Sequence, residues 1–477
     1  MSPRRPYLAI DFGTTSTKSA VVDLDTGVFH HLVRHPSIPA SPGPAGHHEV
    51  PLAAIRARFD EICTGYLDRD PAHPFAGIVL CSEMHGFAVL DAATRQPLTD
   101  YVSWLDARAL EPVDGIDTFS MVSGRLGSRF KAVTGMRPRP GFPLLNFTHL
   151  ARRTRLPERP LLVSLPAFLA LGGAPPHHPV LEHPTILAGM ALYDVGRGEV
   201  SEELLDLVGQ VAGCRPSAGQ PAPEGTVAGH WRRGEVSVPV YVGVGDHQCS
   251  VLGAGLTPGD SASLNLGTGS QVTVLERPAP DEAETRPYFD SRLLRTMTHI
   301  PAGRALAEYV GFLQRIAESV GAPAGARPAP DAFWGRLARL GPLDLEAATL
   351  EIDLAVFEGA RNDRGGGAIA RIAEGALTPQ NYLASLLEAF VSQYVEVLRL
   401  FDPERQLQRL VLSGGIARNL PRLAEILGAR TGCEAVSAAS LDESLLGLRT
   451  LALVADGRAA TCAAAQAVFG RDSTVVS

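Results

Sequence analysis

Asp11-Phe12-Gly13-Thr14-Thr15-Ser16-Thr17-Lys18 is the stretch whose reading decides the fold. It lies between two apolar runs, Tyr7-Leu8-Ala9-Ile10 and Ala20-Val21-Val22. The pattern predicts a strand, a tight turn and a second strand. The turn is made of small hydroxyl residues and one glycine, a composition that can aim backbone N–H groups and hydroxyls at an anion. Asp11 at its mouth adds a hard oxygen suited to Mg²⁺. Together these read as half of a nucleotide-phosphate site. Taken alone, an ordinary hairpin with a polar turn explains the stretch equally well.

A second copy breaks the tie. Asn265-Leu266-Gly267-Thr268-Gly269-Ser270 also sits between strand-like runs, Ser261 to Leu264 and Val272 to Leu275. Asn265 aligns with Asp11, Leu266 with Phe12, Gly267 with Gly13, Thr268 with Thr14 and Ser270 with Ser16. The copies lie roughly half the chain apart, so a whole domain plan is repeated, not a short solenoid unit. Two α/β domains, each with a phosphate-type hairpin, predict an interdomain cleft that holds ATP. That layout resembles the actin-like ATPase superfamily, with its paired ribonuclease H-like domains. The expected division is 1–250 for sugar and phosphate binding and 251–477 for nucleotide binding.

The chain of 477 residues is long enough for two or three domains with proper cores. Its net charge of −8 argues against a general nucleic-acid surface. No apolar run reaches the length of a membrane span. The basic start, Met1 to Arg5, leads straight into strand residues with no signal-type apolar segment. A cytoplasmic protein without nucleic-acid or membrane partners is therefore expected, and a homodimer is compatible with the sequence. The six cysteines, at 63, 81, 214, 249, 433 and 462, form no C-x-x-C pair or zinc spacing. They read as reduced, mostly buried thiols.

Along the first half, Pro51 to Tyr66 has helical spacing. Ala76 to Cys81 reads as a buried strand that runs into Ser82-Glu83-Met84-His85-Gly86, with a further strand at Phe87 to Asp91. His85 is thereby placed at a strand end, the edge where open α/β sheets bind ligands. Trp104, Asp106 and Arg108 alternate, so on an extended segment they would share one face. An aromatic ring beside a carboxylate and a guanidinium suits a polyol: the ring covers C–H faces and the charges take hydroxyls. The bland reading of Asp106 is a helix N-cap.

Leu161 to Leu171 reads as a short, mostly helical piece. His177, His178 and His183 stand among prolines, and a metal site there is set aside because their spacing fits none. Val238 to Gly245 reads as a strand that ends at Asp246-His247-Gln248, with a small-residue helix expected over Ser250 to Gly255. Asp246 is then at a strand's C-terminal end, and a following helix N-terminus would keep it ionised, as a general base requires. An ordinary N-cap Asp is the competing reading.

In the second half, Glu308 to Val320 and Asn381 to Phe401 have helical periodicity. A Pro/Ala-rich loop is expected at 322–330. Arg409 to Leu412 predicts a strand ending in Ser413-Gly414-Gly415, with a helix over Asn419 to Ala429 and a last helix over Asp442 to Asp456. Two glycines between strand and helix let the backbone lie against a planar ligand such as adenine or its ribose.

Five pieces in one order then make a specific resemblance: Asp11-Phe12-Gly13-Thr14-Thr15, Met84-His85-Gly86, Gly245-Asp246, Gly267-Thr268-Gly269-Ser270 and Ser413-Gly414-Gly415. Their order resembles that of the FGGY carbohydrate kinases over essentially the whole chain. The resemblance implies an ATP-dependent kinase acting on a primary hydroxyl of a ketose. Asp246 would be the base and Asp11 the Mg²⁺ ligand. Thr14, Thr15, Gly267, Thr268 and Gly269 would hold the phosphates, and Gly414, Gly415 and Asn419 the nucleoside. Met84, His85, Trp104, Asp106 and Arg108 would line the sugar pocket together with Asp246. Within the family, Met84-His85-Gly86 combined with Gly245-Asp246-His247-Gln248 leans towards a sedoheptulokinase, with xylulokinase or another sugar or polyol kinase as the alternative.

Glu83 stands where the ketose kinases usually carry Gln. The segments 182–189 and 365–367 and the helix after Pro301 also depart from the family pattern. A non-catalytic, nucleotide-dependent sugar sensor or a chaperone-like ATPase is the rival from another class.

Overall fold

The structure is a computed structural model that describes residues 6–71, 74–157, 159–172, 174–319, 331–362, 364–437 and 442–469. The Pro/Ala-rich loop expected at 322–330 lies outside the described residues. The chain divides into two compact units. One comprises the described residues of Met1–Gly255, Thr285–Leu293 and Ser440–Ser477, and the other those of Leu256–Glu284 and Leu294–Ala439. A single cut at 250/251 therefore differs from the observed division. The helix Glu443–Ala455, expected as the last, is followed by a short one, Cys462–Gln466, and both belong with the first unit although they lie near the far end of the sequence.

The first unit is built on a seven-stranded sheet. Its strands are β1 (Tyr7–Phe12), β2 (Ser16–Val22), β3 (Phe29–Pro36) and β4 (Gly77–Ser82). The antiparallel pair β5 (Ala88–Asp91) and β6 (Pro160–Val163) stands apart from it, with Leu161 opposite Leu90. The main sheet resumes with β7 (Val227–Arg233), β8 (Val236–Tyr241) and β9 (Val244–Gly245). The order is β7-β8-β4-β1-β2-β3, with β9 beside β4. β1 is antiparallel to β2 and parallel to β4, with Asp11 opposite both Lys18 and Cys81. Every residue of β1 is buried, as expected for a central strand covered on both faces. One face packs under the helix Leu52–Arg69 through Ile55, Phe59 and Ile62.

The second unit repeats this plan. Its strands are β10 (Ser261–Leu266), β11 (Gly269–Leu275), β12 (Leu293–Pro301), β13 (Arg409–Ser413) and β14 (Glu434–Ser437). They run in the order β12-β11-β10-β13-β14. β10, like β1, is antiparallel to its hairpin partner and parallel to the strand that follows a helical excursion. The long helix Pro379–Phe401 fills this core with Leu383, Leu387, Phe390, Tyr394 and Val397.

Several local expectations needed correcting. Leu161 to Val163 is a strand, not the start of a helix. A short, fully buried apolar run has no period that separates the two. The expected strand 238–245 breaks at Val242 and Gly243, and the helix after it starts at Asp246. The single helix expected at 419–429 is two, Gly415–Asn419 and Leu423–Thr431, because Pro421 interrupts the ladder. All six cysteines are unpaired and five are buried. Among the described residues no helix is long and apolar enough to cross a membrane.

Candidate functional site

In the first unit the ends of β1, β4 and β9 lie side by side and gather the acidic residues. Asp246 opens the helix Asp246–Gly253, with Gly245 as its N-cap residue. Its Oδ1 accepts from the His247 N–H at 2.7 Å. The expectation that the helix end would keep this carboxyl ionised is reversed. Burial pushes its pKa up to about 7, and the charges of Asp11 and Glu83 act in the same direction. The His247 amide and the Arg286 guanidinium oppose that shift without cancelling it.

The helix is held close to its neighbour by two glycines. A Cβ on Gly253 would lie 1.9 Å from the Glu443 carbonyl oxygen, and one on Gly447 would lie 2.0 Å from that of Cys249. Only glycine lets the two backbones approach so nearly.

Asp11, buried on β1, takes Oδ2 contacts from Lys18 Nζ at 3.2 Å and Ser444 Oγ at 2.6 Å. Lys18 Nζ also reaches Asp442 at 2.6 Å. Burial works against the lysine's charge, but Asp11 and Asp442 more than offset it and raise its pKa. Among the described residues, Oδ1 of Asp11 receives only the weak Cys81 thiol, at 3.4 Å. A hard carboxylate oxygen with so weak a donor on it suits Mg²⁺. A cation there would also relieve the repulsion between Asp11 and Asp246, so the residues present fit such an ion.

Thr14 links two further candidates. Trp104 Nε1 donates to Thr14 Oγ1 at 2.9 Å, and Thr14 Oγ1 donates to Glu83 Oε2 at 3.1 Å. Glu83 is buried, and burial raises its pKa. Among the described residues neither its Oε1 nor the Tyr101 hydroxyl makes a well-formed hydrogen bond, although the two groups act on each other. Thr15 is exposed in the turn between β1 and β2.

The shared face expected for Trp104, Asp106 and Arg108 is absent, because the segment turns instead of extending. Trp104 is 44% exposed, whereas Asp106 and Arg108 are 1% and 2% exposed. Asp106 accepts from the His48 N–H at 2.7 Å, the Arg108 N–H at 3.0 Å and two guanidinium nitrogens of Arg108 at 2.8 and 2.7 Å. Arg108 also meets Glu49 at 2.6 Å. Met84 is buried between the backbones of Gly189 and Gly245, where a Cβ would collide with it at 2.5 and 2.6 Å. His85 Nδ1 lies 2.6 Å from the Gly189 carbonyl, and its ring packs on Phe142 at 4.9 Å.

The second unit has its own site. The Gly267–Gly269 turn is braced by the start of the helix Gly303–Ser319: Gly303 N donates to Gly267 O at 3.0 Å and Arg304 N to Thr268 O at 2.9 Å. A cavity of about 1080 Å³ opens here, and of the expected residues Gly267, Thr268, Gly415 and Asn419 line it. Gly269 and Gly414 stand beside it without lining it. Gly414 has φ +90°, and a Cβ there would be 2.5 Å from the Leu266 carbonyl. The remaining walls carry residues that sequence reading missed, notably Arg304, Glu308, Asp331 and Trp334. Only the Gly303 that opens the helix after Pro301 was a readable signal for them.

Residues 6–155 match the family model described as the FGGY family of carbohydrate kinases, N-terminal domain. Apulose kinase from Pectobacterium atrosepticum is 24% identical over 286 residues, 56% of this chain and 53% of that protein. The chain thus spans about half the length of that curated relative.

Among solved structures, the ligand-bound xylulose kinase from Lactobacillus acidophilus aligns with TM-score 0.77 at 15% identity, covering 98% of this chain and 93% of that one. Gluconate kinase from the same organism gives 0.78 at 15% identity with the same coverage. Plasmodium falciparum glycerol kinase with ADP gives 0.77 at 14%, again covering 98% and 93%. At these identities the likeness is one of fold, the α/β two-domain actin-like ATPase fold that the internal repeat predicts.

Proposed function

We propose, from the premise that this chain belongs to the FGGY family of carbohydrate kinases through residues 6–155, that it transfers a phosphoryl group from ATP to a hydroxyl of a sugar or polyol. The single observation that carries the reading is Asp246. It stands at the end of β9, next to the charge of Asp11, and has a pKa of about 7. A general base works best with a pKa near the operating pH.

In this reading Asp246 takes the proton of the attacking hydroxyl as its oxygen bonds to the γ-phosphorus, the bond from that phosphorus to the β,γ-bridging oxygen breaks, and ADP leaves. Asp11 would hold Mg²⁺, which when bound supplies the charge neutralisation that phosphoryl transfer requires. Lys18 fixes the Asp11 carboxylate from one side and Ser444 from the same oxygen. In the first unit Thr14 and Thr15 offer their hydroxyls to a phosphate. At the second unit's own cavity Gly267, Thr268 and Gly269 serve nucleotide phosphates, Gly414, Gly415 and Asn419 hold the nucleoside, and Trp334 offers an aromatic face. Met84, His85 and Trp104 flank the acceptor, while Asp106 and Arg108 hold the loop that carries Trp104.

Sedoheptulose is not favoured over the other acceptors. The related proteins are named for xylulose, gluconate, glycerol and apulose. A coupled ADP-release assay with ATP and Mg²⁺ tests the reading against sedoheptulose, D-xylulose, D-ribulose, L-ribulose, apulose, glycerol and gluconate. Turnover of any one supports a kinase and removes the sensor reading. Silence on all of them with purified, folded protein contradicts it.

A further inference from the structure

Glu224, His183 and Thr185 form a chain of side-chain hydrogen bonds that ends on the residue before Asp246. Thr185 Oγ1 accepts from the Gly245 N–H at 3.0 Å. The same hydroxyl lies 2.8 Å from His183 Nδ1, and His183 Nε2 lies 3.1 Å from Glu224 Oε2. One assignment of protons accounts for all of these bonds. His183 Nδ1 accepts the Thr185 backbone N–H at 3.2 Å, so it carries no proton. In that assignment the Thr185 hydroxyl donates to Nδ1, its oxygen receives the Gly245 N–H, and His183 donates from Nε2 to Glu224.

His183 and Thr185 are both fully buried, and the His183 ring packs on Phe289 at 5.4 Å. Glu224 is fixed in turn. Its Oε1 accepts from the Asp290 N–H at 2.7 Å and the Cys462 thiol at 3.8 Å. Asp290 caps Cys462 N and Ala463 N at 2.8 and 2.9 Å. Glu224, Asp290 and Cys462 bring ligand-type atoms within 4.8 Å of one another, but these bonds already engage each of them, so the group reads as a hydrogen-bonded knot.

We propose that His183 and Thr185 are positioning residues that carry this anchorage to the backbone of Gly245 and so fix Asp246 at the end of β9. The proposal rests on the reading of Asp246 as the base. Gly245 has little other latitude: β9 pairs it with Ser82, and a Cβ on it would meet Met84 Sδ at 2.6 Å. A displacement of a reacting group by about 1 Å can cost on the order of 10²-fold in rate.

The test compares Thr185→Val, Thr185→Ser and His183→Asn in the full chain, by kinetics on the best acceptor and by hydrogen-exchange mass spectrometry on the peptide spanning 242–248. Thr185→Val is expected to lower kcat about 10- to 100-fold, with KM for both substrates within about 3-fold, and to speed exchange at 242–248 but not at 77–82. Thr185→Ser restores both readouts, and His183→Asn shifts both in the direction of Thr185→Val. Wild-type kcat and exchange in Thr185→Val, or a Thr185→Ser variant as impaired as Thr185→Val, overturns the proposal. If Thr185→Val does not fold, His183→Asn decides by the same two readouts. A wild-type chain inactive on every acceptor counts against the kinase reading alone, and the exchange comparison still decides the positioning claim.

Discussion

Ser444 Oγ donates to Asp11 Oδ2 at 2.6 Å, joining the helix Glu443–Ala455 to the first strand. The helix Glu443–Ala455 is thus part of the first unit's core. Leu445, Leu448 and Leu453 are fully buried on it. Truncating such a side chain forfeits its burial and leaves a cavity, a cost of about 2–5 kcal/mol. Leu448→Ala is expected to destabilise the chain by that amount in urea unfolding, with limited proteolysis opening the first unit before the second. A loss under about 1 kcal/mol would show that the helix is dispensable to that unit.

The pKa of Asp246 gives two pH dependences. In the free enzyme kcat/KM should climb tenfold per pH unit below about 7 and level off above it, because only the ionised carboxylate can act as base. Stability follows the opposite course. Between the ordinary carboxyl value of 3.8 and about 7, the folded chain holds a proton that the unfolded chain has lost. The contribution of this group is therefore full below 3.8 and declines as pH rises through about 7. Asp246→Asn should remove that decline, seen as a melting-temperature gain over wild type that is larger at pH 8 than at pH 5. An equal difference at both values would contradict the assigned shift.

Glu83 is one of the charges that raise Asp246. Glu83→Gln keeps a partner for the Thr14 hydroxyl but removes charge, so the acid limb of kcat/KM should move to lower pH. An unmoved limb would mean that Glu83 is protonated throughout the working range and exerts no field on the base.

Arg108 and Asp106 form a buried ion pair at 2.7 Å. The arginine and two backbone N–H groups outweigh burial and hold the Asp106 carboxyl below the usual carboxylate range. Arg108→Met leaves that charge uncompensated, which costs about 3–5 kcal/mol. The stabilisation is present above the ordinary 3.8 and is lost as pH falls below it. The gap between wild type and variant in denaturant unfolding should accordingly narrow in acid. A full gap persisting at pH 2 would assign the loss to packing instead.

The fold was legible because two hairpins, at Asp11 and Asn265, carry the same residue order between apolar runs. Asp246 was legible as a strand-end carboxylate, but its ionisation was not. A nearby helix N-terminus argued for a low pKa, whereas burial and the charge of Asp11, which is 235 positions earlier in the numbering, win in the folded chain. Trp104, Asp106 and Arg108 misled because alternation implies a shared face only on an extended segment, and here the chain turns. The Glu224–His183–Thr185 chain could not be read at all. Its members are brought together by tertiary packing, and its local segment shows only a histidine among prolines. The return of the helix Glu443–Ala455 to the first unit was equally invisible, since nothing local to 443–455 names its partner.

The most direct test of the central claim is single-turnover transfer from γ-labelled ATP to the best acceptor, comparing wild type with Asp246→Asn at saturating substrates. A base of this kind contributes about 10²–10⁴ in rate. The account predicts a loss of at least that order in the variant, with acceptor binding by calorimetry little changed. A variant that transfers phosphate at close to the wild-type rate would remove Asp246 from the chemistry and contradict the account.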